Sequence, residues 1–378
     1  MESKTILMQQ MSNLDYFFLS RELNRELAGG RFNKAYQTGE RRLRFKFHKQ
    51  GERNLAVELG VRAHLTKFVE EAASEQSVFV SLLRKKLDNA VVEEVSQQNF
   101  DRVIRFKLCK KEAFFLFLEM LGKGNAVLTG ANSKIIGVFE GQEYAARSLK
   151  PGHEYVLPPS NKILPGEATE SDFSDCKGKV VAVLSKKVAL SPFYLKEACA
   201  RAGVDAGAQF EELPREKVAR LLQALHSLLG ECKPVVYFKD GNPFAFSPFP
   251  LVKFAGDATF SFKEFKSFSD ALDEYYAAAR AREPEKAKPI RLLKLESALA
   301  QQQKAVSELE KREAEERAKA ELVSLHAETL DHAIALANKL KKGKKTAREI
   351  EAAVNEVLAA CGLRCSMRKH DELVVEEK

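Results

Sequence analysis

The sequence predicts an α+β protein, in which a mostly antiparallel sheet is followed by a compact helical segment and a long coiled-coil helix. Three observations support this fold class. Basic and apolar residues alternate over residues 42–48, turn residues separate a series of short apolar runs, and a heptad pattern begins at Leu292. With 45% hydrophobic residues among 378, the chain can bury sizeable cores.

The alternation over residues 42–48 is the clearest physical feature of the N-terminal half. Arg42, Arg44 and Lys46 alternate with apolar residues, and a strand places successive side chains on opposite faces. We therefore expect a positively charged sheet face backed by a core. Residues 1–165 contain 26 Lys and Arg against 19 Asp and Glu, a surplus of 7 where the whole chain has +8. Such a surplus attracts phosphate backbones.

The N-terminal elements are separated by turns rich in Gly and Asn. A helix is predicted over residues 14–27, and it ends at Gly29-Gly30 as helices often do. The turn signals between the following strands favour an antiparallel sheet. The further elements predicted, in chain order, are strands 42–48 and 54–59, a helix over 77–87, and strands 91–95, 100–108, 113–121, 126–128 and 134–139.

Prolines between residues 151 and 166 mark a boundary, after which residues 178–230 are predicted to be helical. Ser191 caps one of these helices and Pro192 fits its first turn. Residues 234–252 return to strand, and we expect these strands to rejoin the first sheet before a last helix over 267–282. The predicted domains are residues 1–175, 176–232, 233–284 and 285–378.

Residues 291–341 are predicted to form one long helix with a coiled-coil seam. Stepping by three and four from Leu292 to Ala337 gives fourteen positions, of which eleven are apolar. Such a helix is about 75 Å long, and its seam needs a partner that residues 346–360 are too short to supply. We expect the partner helix to come from a segment missing from this chain or from another chain.

Missing motifs exclude several classes of protein. The longest apolar run spans residues 114–118, far below the roughly 20 residues that a membrane helix needs, and the N-terminus lacks the apolar stretch of a signal peptide. The six cysteines form no CxxC pair, and no phosphate loop, HExxH or GxSxG motif occurs. We therefore predict a cytoplasmic, non-enzymatic chain that uses no metal and no cofactor.

Six segments occur in an order and spacing that match one family. They are SNLDYFFLSREL (12–23), RAHLT (62–66), FVSLLRKKL (79–87), QQNFDRVIRF (97–106), LEMLGKGNAVL (118–128) and PGHEYVLPP (151–159). The combination of NFDR with GKGN is the specific part. The segments resemble the N-terminal domain of the NFACT family, the ribosome-associated quality-control factors also known as fibronectin-binding-protein-like, and weaker similarity continues into the coiled coil.

This resemblance implies a fold related to the formamidopyrimidine-DNA glycosylases, with a helix-two-turn-helix-like middle domain. Those glycosylases use an N-terminal Pro amine as nucleophile, whereas Met1 is followed here by Glu2, which argues against base excision. Family members bind tRNA and the large ribosomal subunit with stalled peptidyl-tRNA, and they support template-free alanine addition to the nascent chain. The ribosome performs the peptide transfer. Complete members continue with a returning coiled-coil helix and a C-terminal RNA-binding module.

The resemblance also implies that Asp15, Asp101 and Arg102 contact tRNA. In a strand, Asp101 and Arg102 would point to opposite faces and would not neutralise each other. For Asp15 the alternative is an internal ion pair, with Arg102 as its partner, that braces the helix against the sheet. The other predicted tRNA contacts are Arg42, Arg44, Lys46 and Lys123, and a basic tip that contacts ribosomal RNA is predicted at Lys341, Lys342, Lys344 and Lys345.

The residues leave other interpretations open. The basic block over residues 339–348, taken alone, favours a solubilising loop slightly over a phosphate contact. The whole chain is alternatively a catalytically inactive glycosylase-like DNA-binding protein, or a coiled-coil scaffold or adhesin that binds no nucleic acid. The basic strand and the lack of a signal peptide argue against an adhesin.

Overall fold

The structure is a computed structural model that describes residues 9–280, 290–368 and 372–377. Its contacts divide the chain into two units, Met1–Glu283 and Pro284–Lys378, which are described separately. The domain boundary predicted between residues 284 and 285 lies outside the described residues. None of the described helices combines the length and the apolar character that crossing a bilayer requires.

The first unit is built on a nine-stranded sheet in the order β4-β3-β2-β1-β5-β6-β7-β8-β9, with antiparallel pairing throughout. The predicted α+β class, with a large antiparallel N-terminal sheet, is confirmed. The strands are β1 (Arg31–Gly39), β2 (Arg42–His48), β3 (Glu52–Glu58), β4 (Arg62–Thr66), β5 (Val91–Gln97), β6 (Val103–Cys109), β7 (Ala113–Glu119), β8 (Asn125–Gly130) and β9 (Ile135–Val138).

Alternating side chains decide which face of this sheet is buried. In β2, Leu43, Phe45 and Phe47 are buried, while the basic residues between them are half-buried. Helix α1 (Asn13–Leu27) packs on β5, and helix α2 (Val78–Leu87) packs on β1. The apolar residues of both helices join those of the strands in one core, whose burial is the main stabilising contribution.

Three helices follow a small pair of strands, β10 (Gln142–Tyr144) and β11 (Arg147–Leu149). They are α3 (Val180–Lys187), α4 (Pro192–Ala202) and α5 (Arg215–Ser227). Ser191 precedes α4 in an extended conformation, Pro192 is its first residue, and Gly203 ends it in a left-handed conformation with φ of +66°. The helical middle segment therefore begins its second helix where the Ser-Pro pair predicts.

The strands that follow the helices were expected to rejoin the first sheet, and this expectation is wrong. Strands β12 (Val235–Lys239), β13 (Asn242–Ser247) and β14 (Phe260–Glu264) pair with one another in a separate sheet of order β13-β12-β14. Helix α6 (Phe268–Arg280), which follows these strands, packs instead against β4 of the first sheet. The Glu22 carboxylate accepts hydrogen bonds from the Phe268 and Ser269 amides at 2.7 and 3.1 Å, which satisfies two buried amides that have no partner within the helix.

The second unit corrects the prediction of one uninterrupted helix. Helix α7 (Ile290–Leu325) ends at His326, whose φ of −115° is not helical, and α8 (Ala327–Lys342) begins after it. Helix α9 (Ala347–Leu358) and the hairpin β15 (Leu363–Arg368) and β16 (Glu372–Glu377) complete the unit. A small core holds α8, α9 and β15 together, and it contains Ala333, Ala337, Ile350, Val354, Leu358, Leu363 and Cys365.

Candidate nucleic-acid interface

A groove of about 550 Å³ lies beside Asp101 and Arg102, and we call it the first-turn groove. Three segments form it: residues 10–13 at the start of α1, the turn before β6, and residues 189–192 at the start of α4, with residues 159–162 as a further wall. The amides at the beginning of a helix carry a partial positive charge and lack intrahelical partners. Two helix starts therefore face one groove, which favours an anion.

Asp101 and Arg102 occupy a turn and not a strand, which corrects the prediction of a strand over residues 100–108. Asn99 and Phe100 both have φ of +50°, an uncommon conformation for residues other than Gly, and β6 begins only at Val103. The Phe100 ring packs against Phe17 of α1 at 5.4 Å between centroids, which helps to fix the turn. The two candidate side chains are thus placed by turn geometry and not by strand alternation.

Asp101 and Arg102 differ in whether their side chains have hydrogen-bond partners within the protein. The Asp101 carboxylate accepts a hydrogen bond from the Arg102 amide at 2.7 Å. Across the part of the chain that the structure describes, the Arg102 guanidinium has no hydrogen bond and no ion pair. Both side chains are half-buried. Arg102 is therefore a cation at the groove whose donors are still available to a ligand.

Asp15 does not reach the surface of the groove. Its side chain is fully buried, and its carboxylate accepts hydrogen bonds from the Ser12 amide at 2.6 Å and the Tyr194 hydroxyl at 2.5 Å. Burial raises the pKa of this carboxyl to about 6. The predicted tRNA contact of Asp15 stays a prediction, and in the structure its buried carboxylate joins the start of α1 to α4. Its partners are a hydroxyl and an amide, and not the Arg102 of the predicted ion pair.

Two amide side chains that the sequence analysis did not single out hold the groove together. The Gln97 amide nitrogen donates to the Asn13 carbonyl at 2.7 Å and to the Asp101 carbonyl at 2.8 Å. The Asn13 side chain donates to the carbonyls of Phe100 and Ala189. These bonds link all three segments of the first-turn groove. Asn13 lies in the SNLD segment and Gln97 in the QQNFDR segment. Their place in these family-like segments is the signal that could have indicated them.

The basic residues of β2 lie on one face as predicted, but they already have partners. The Arg42 guanidinium is 3.7 Å from the Glu70 carboxylate, and Lys46 pairs with Glu52 at 2.5 Å. Arg44 donates to the Asn54 side chain at 3.0 Å, and its guanidinium lies 4.1 Å from the centroid of the Tyr36 ring. These partners come from neighbouring strands and loops, so the pattern of β2 alone does not indicate them. The face is therefore less positive than the pattern of β2 alone indicates.

Lys123 stands on a turn whose glycines are required by close packing. A Cβ on Gly124 would lie 2.1 Å from the Gly60 nitrogen, and Gly124 has φ of +73°. The Arg41 guanidinium donates to the Lys123 carbonyl at 3.1 Å and to the Gly124 carbonyl at 2.7 Å. The turn is held firmly against the sheet, while the Lys123 residue is exposed.

The basic tip lies in the second unit, where α8 ends and α9 begins. Its four lysines are exposed. Lys345 pairs with Glu349 at 3.0 Å, and that carboxylate also accepts from the Thr346 amide at 2.8 Å. The Thr346 amide and Lys345 lower the pKa of Glu349 to about 2. One of the four cations is thus partly neutralised by the cap of α9. The tip also contains Lys341, Lys342 and Lys344.

Comparison with known proteins places the chain in a family. The family profile described as NFACT N-terminal and middle domains matches residues 15–356. The archaeal Rqc2 homolog aRqcH of Methanocaldococcus jannaschii is 28% identical over 289 residues, which cover 71% of this chain and 42% of that protein. The ribosome quality control complex subunit NEMF of Homo sapiens is 23% identical over 383 residues, which cover 88% of this chain and 34% of that protein.

A solved structure shares the fold over a large part of the chain. The crystal structure of the fibrinogen binding protein from Staphylococcus aureus aligns with a TM-score of 0.59 at 21% identity, over 71% of this chain and 99% of that one. The chain spans less than half the length of the two curated relatives. The profile match extends over most of the sequence, from α1 into α9. The chain therefore belongs to the NFACT family and carries its N-terminal and middle domains.

Proposed function

We propose that this chain is part of a ribosome-associated quality-control factor that binds tRNA and the large ribosomal subunit with stalled peptidyl-tRNA. In this role it supports template-free alanine addition to the nascent chain. Its similarity to the Rqc2 homologues and to NEMF supports the proposal. The contribution of the chain is binding and positioning, and the peptide transfer belongs to the ribosome.

The first-turn groove is the observation that carries the proposal. Arg102 offers guanidinium donors that pair with no other residue described in the structure, and the starts of α1 and α4 add the positive ends of two helices. A phosphate of the tRNA backbone satisfies both. The Asp101 carboxylate beside them accepts hydrogen bonds from ribose hydroxyls or base amino groups, which adds selectivity for RNA.

The exposed lysines of the basic tip provide a second contact that does not involve the groove. Lysines at a helix end contact phosphates as point charges, without base recognition. We assign this tip to ribosomal RNA. Substituting Lys341, Lys342 and Lys344 together by Ala should weaken binding to large subunits in low salt and leave binding of free tRNA unchanged. Equal binding of subunits by this variant and the unchanged chain would rule out the assignment.

The central experiment measures tRNA binding by the double variant Asp101→Ala, Arg102→Ala. We expect its affinity for tRNA to fall at least about tenfold, because the variant loses charge-assisted hydrogen bonds to RNA. The midpoint of thermal unfolding should change little. Arg105→Ala is the matched control, since Arg105 lies on β6 just after the turn and already pairs with Glu94 at 2.8 Å.

Duplex DNA and tRNA should be compared as competitors in the same experiment. Preference for tRNA supports the proposed function. A chain that binds duplex DNA more tightly than tRNA would favour the glycosylase-like DNA-binding alternative. A double variant that melts much earlier but binds tRNA normally once folded would assign Asp101 and Arg102 to bracing the turn.

A further inference from the structure

The three-stranded sheet and the short helical turn between β13 and β14 carry five neighbouring aromatic rings, which we call the aromatic face. The register of β12 and β14 sets Tyr237 opposite Phe262 and Lys239 opposite Phe260, so these side chains share one face of the sheet. The rings lie 4.7 to 6.0 Å apart between neighbouring centroids. The members are Tyr237, Phe244, Phe254, Phe260 and Phe262.

Two of these rings are exposed to solvent, unlike the aromatic side chains of the core. Phe244 is 46% exposed and Phe262 is 55% exposed, whereas Tyr237 beneath them is 3% exposed. The outer rings therefore rest on a packed aromatic layer and present open ring surface. Exposed aromatic side chains on a sheet are a common platform on which unpaired nucleobases stack.

Lysines flank the aromatic face on two sides. The Lys239 nitrogen lies 5.8 Å from the centroid of the Phe260 ring, and the Lys253 nitrogen lies 5.2 Å from that of Phe254. The nearby Asp257 carboxylate is occupied by the amide and hydroxyl of Thr259. The exposed acid Glu264 is opposite Val235, at the far end of β14 from Phe260. Phosphates are thus favoured along the side of the lysines.

Lys253 connects the aromatic face to the start of α4, which borders the first-turn groove. The Lys253 nitrogen lies 3.0 Å from the centroid of the Phe193 ring and donates to the Phe193 carbonyl at 3.2 Å. Phe193 is the second residue of α4, and the two residues before it line the groove. A strand of RNA that leaves the groove over the start of α4 therefore meets Lys253 and then the rings.

We propose that the aromatic face stacks unpaired nucleotides of the same tRNA whose backbone enters the first-turn groove. This inference rests on the proposed function and adds a second contact to it. The lysines contact the phosphates between the stacked bases, and the rings hold the bases without a strong sequence preference.

The test compares variants of the full 378-residue chain in tRNA binding. Phe244→Ala with Phe262→Ala should weaken tRNA binding about tenfold or more, since each stacked base contributes substantially to affinity. Phe262→Tyr keeps the flat ring and should bind as the unchanged chain does. Phe262→Leu keeps an apolar side chain without a ring and should lose affinity. Phe68→Ala is the control, because Phe68 is 62% exposed elsewhere on the first unit.

The outcomes separate this inference from the proposed function. If the unchanged chain binds tRNA and the double variant at Phe244 and Phe262 binds equally well, the inference is wrong and the function stands. If Phe262→Leu binds like the unchanged chain, the ring does not stack on a base, and the face is a docking site for a protein. If the unchanged chain does not bind tRNA, both proposals fail together.

Discussion

The first-turn groove and the outer face of β2 both contain basic side chains, but these differ in whether they already have partners. On β2, each of the three cations already meets a carboxylate, an amide or a ring. In the groove, Arg102 has no such partner among the described residues. A paired cation must give up its partner before it binds a phosphate, whereas an unpaired one gains the full interaction. A basic pattern in a sequence therefore locates cations without telling which are available.

The largest expected effect concerns the buried carboxylate that holds the groove. The pKa of Asp15 is about 6 in the folded chain against an ordinary 3.8, so the folded state keeps this proton where the unfolded state has lost it. Its contribution therefore lowers stability as pH rises from about 4 to about 6, by up to about 3 kcal/mol, and is constant above. Unfolding by denaturant across this range should show the slope, and Asp15→Asn should remove it.

Asp172→Asn is a control for the direction in which stability changes with pH. Hydrogen bonds from Thr169 lower the pKa of the Asp172 carboxyl, so its stabilising contribution is lost as pH falls through the low pKa. The Asn variant should therefore flatten the acidic side of the profile and leave the range from pH 4 to 6 unchanged. An Asp15→Asn variant with the same slope as the unchanged chain would contradict the assignment to Asp15.

Gln97→Ala should have the next largest effect, because it removes two hydrogen bonds to partly buried carbonyls. We expect a loss of about 2 kcal/mol in the free energy of unfolding, together with weaker tRNA binding. Gln98→Ala is the matched control, since the side chain of this neighbouring residue donates to the Ser96 hydroxyl at 3.1 Å and not to the segments of the groove. Unchanged tRNA affinity in a destabilised Gln97 variant would show that the three segments need not be locked for binding.

Arg44→Ala tests the other side of the comparison. This variant loses the contact with the Tyr36 ring and the hydrogen bond to Asn54, so we expect about 1 kcal/mol of destabilisation. Its affinity for tRNA should change less than twofold. If tRNA binding instead falls as far as in the double variant at Asp101 and Arg102, the paired cations of β2 also bind RNA.

The smallest effect is expected for Lys46→Ala. Its partner Glu52 is exposed, and pairs of this kind contribute only a few tenths of a kcal/mol. Denaturant unfolding at low and high salt should give nearly the same difference between this variant and the unchanged chain. A clear loss of stability that disappears in high salt would show that the charges on β2 act as a coupled network.

The predicted elements were those with a strong local pattern. β2 was placed at its observed bounds because its alternation is regular, and α1 because Gly29 ends it. β1 was missed because its register shifts twice, between Phe32 and Lys34 and between Gln37 and Gly39, which interrupts the alternation. The helix break at His326 was missed because the heptad pattern continues through it.

The candidate site was predictable in part. The NFDR segment indicated Asp101 and Arg102, but their turn depends on two left-handed residues that no alternation reveals. The burial of Asp15 depends on Tyr194, which is 179 positions away in the chain. Such long-range contacts follow from how the elements pack, which local patterns do not specify.

The backbone contact between Gly60 and Gly124 has a practical consequence for spectroscopy. Because the turn is clamped by Arg41 while residue 123 is exposed, a fluorescent dye attached at this position after Lys123→Cys would have a fixed anchor. Energy transfer from that dye to a labelled RNA would then report the distance to the RNA and not local motion of the turn.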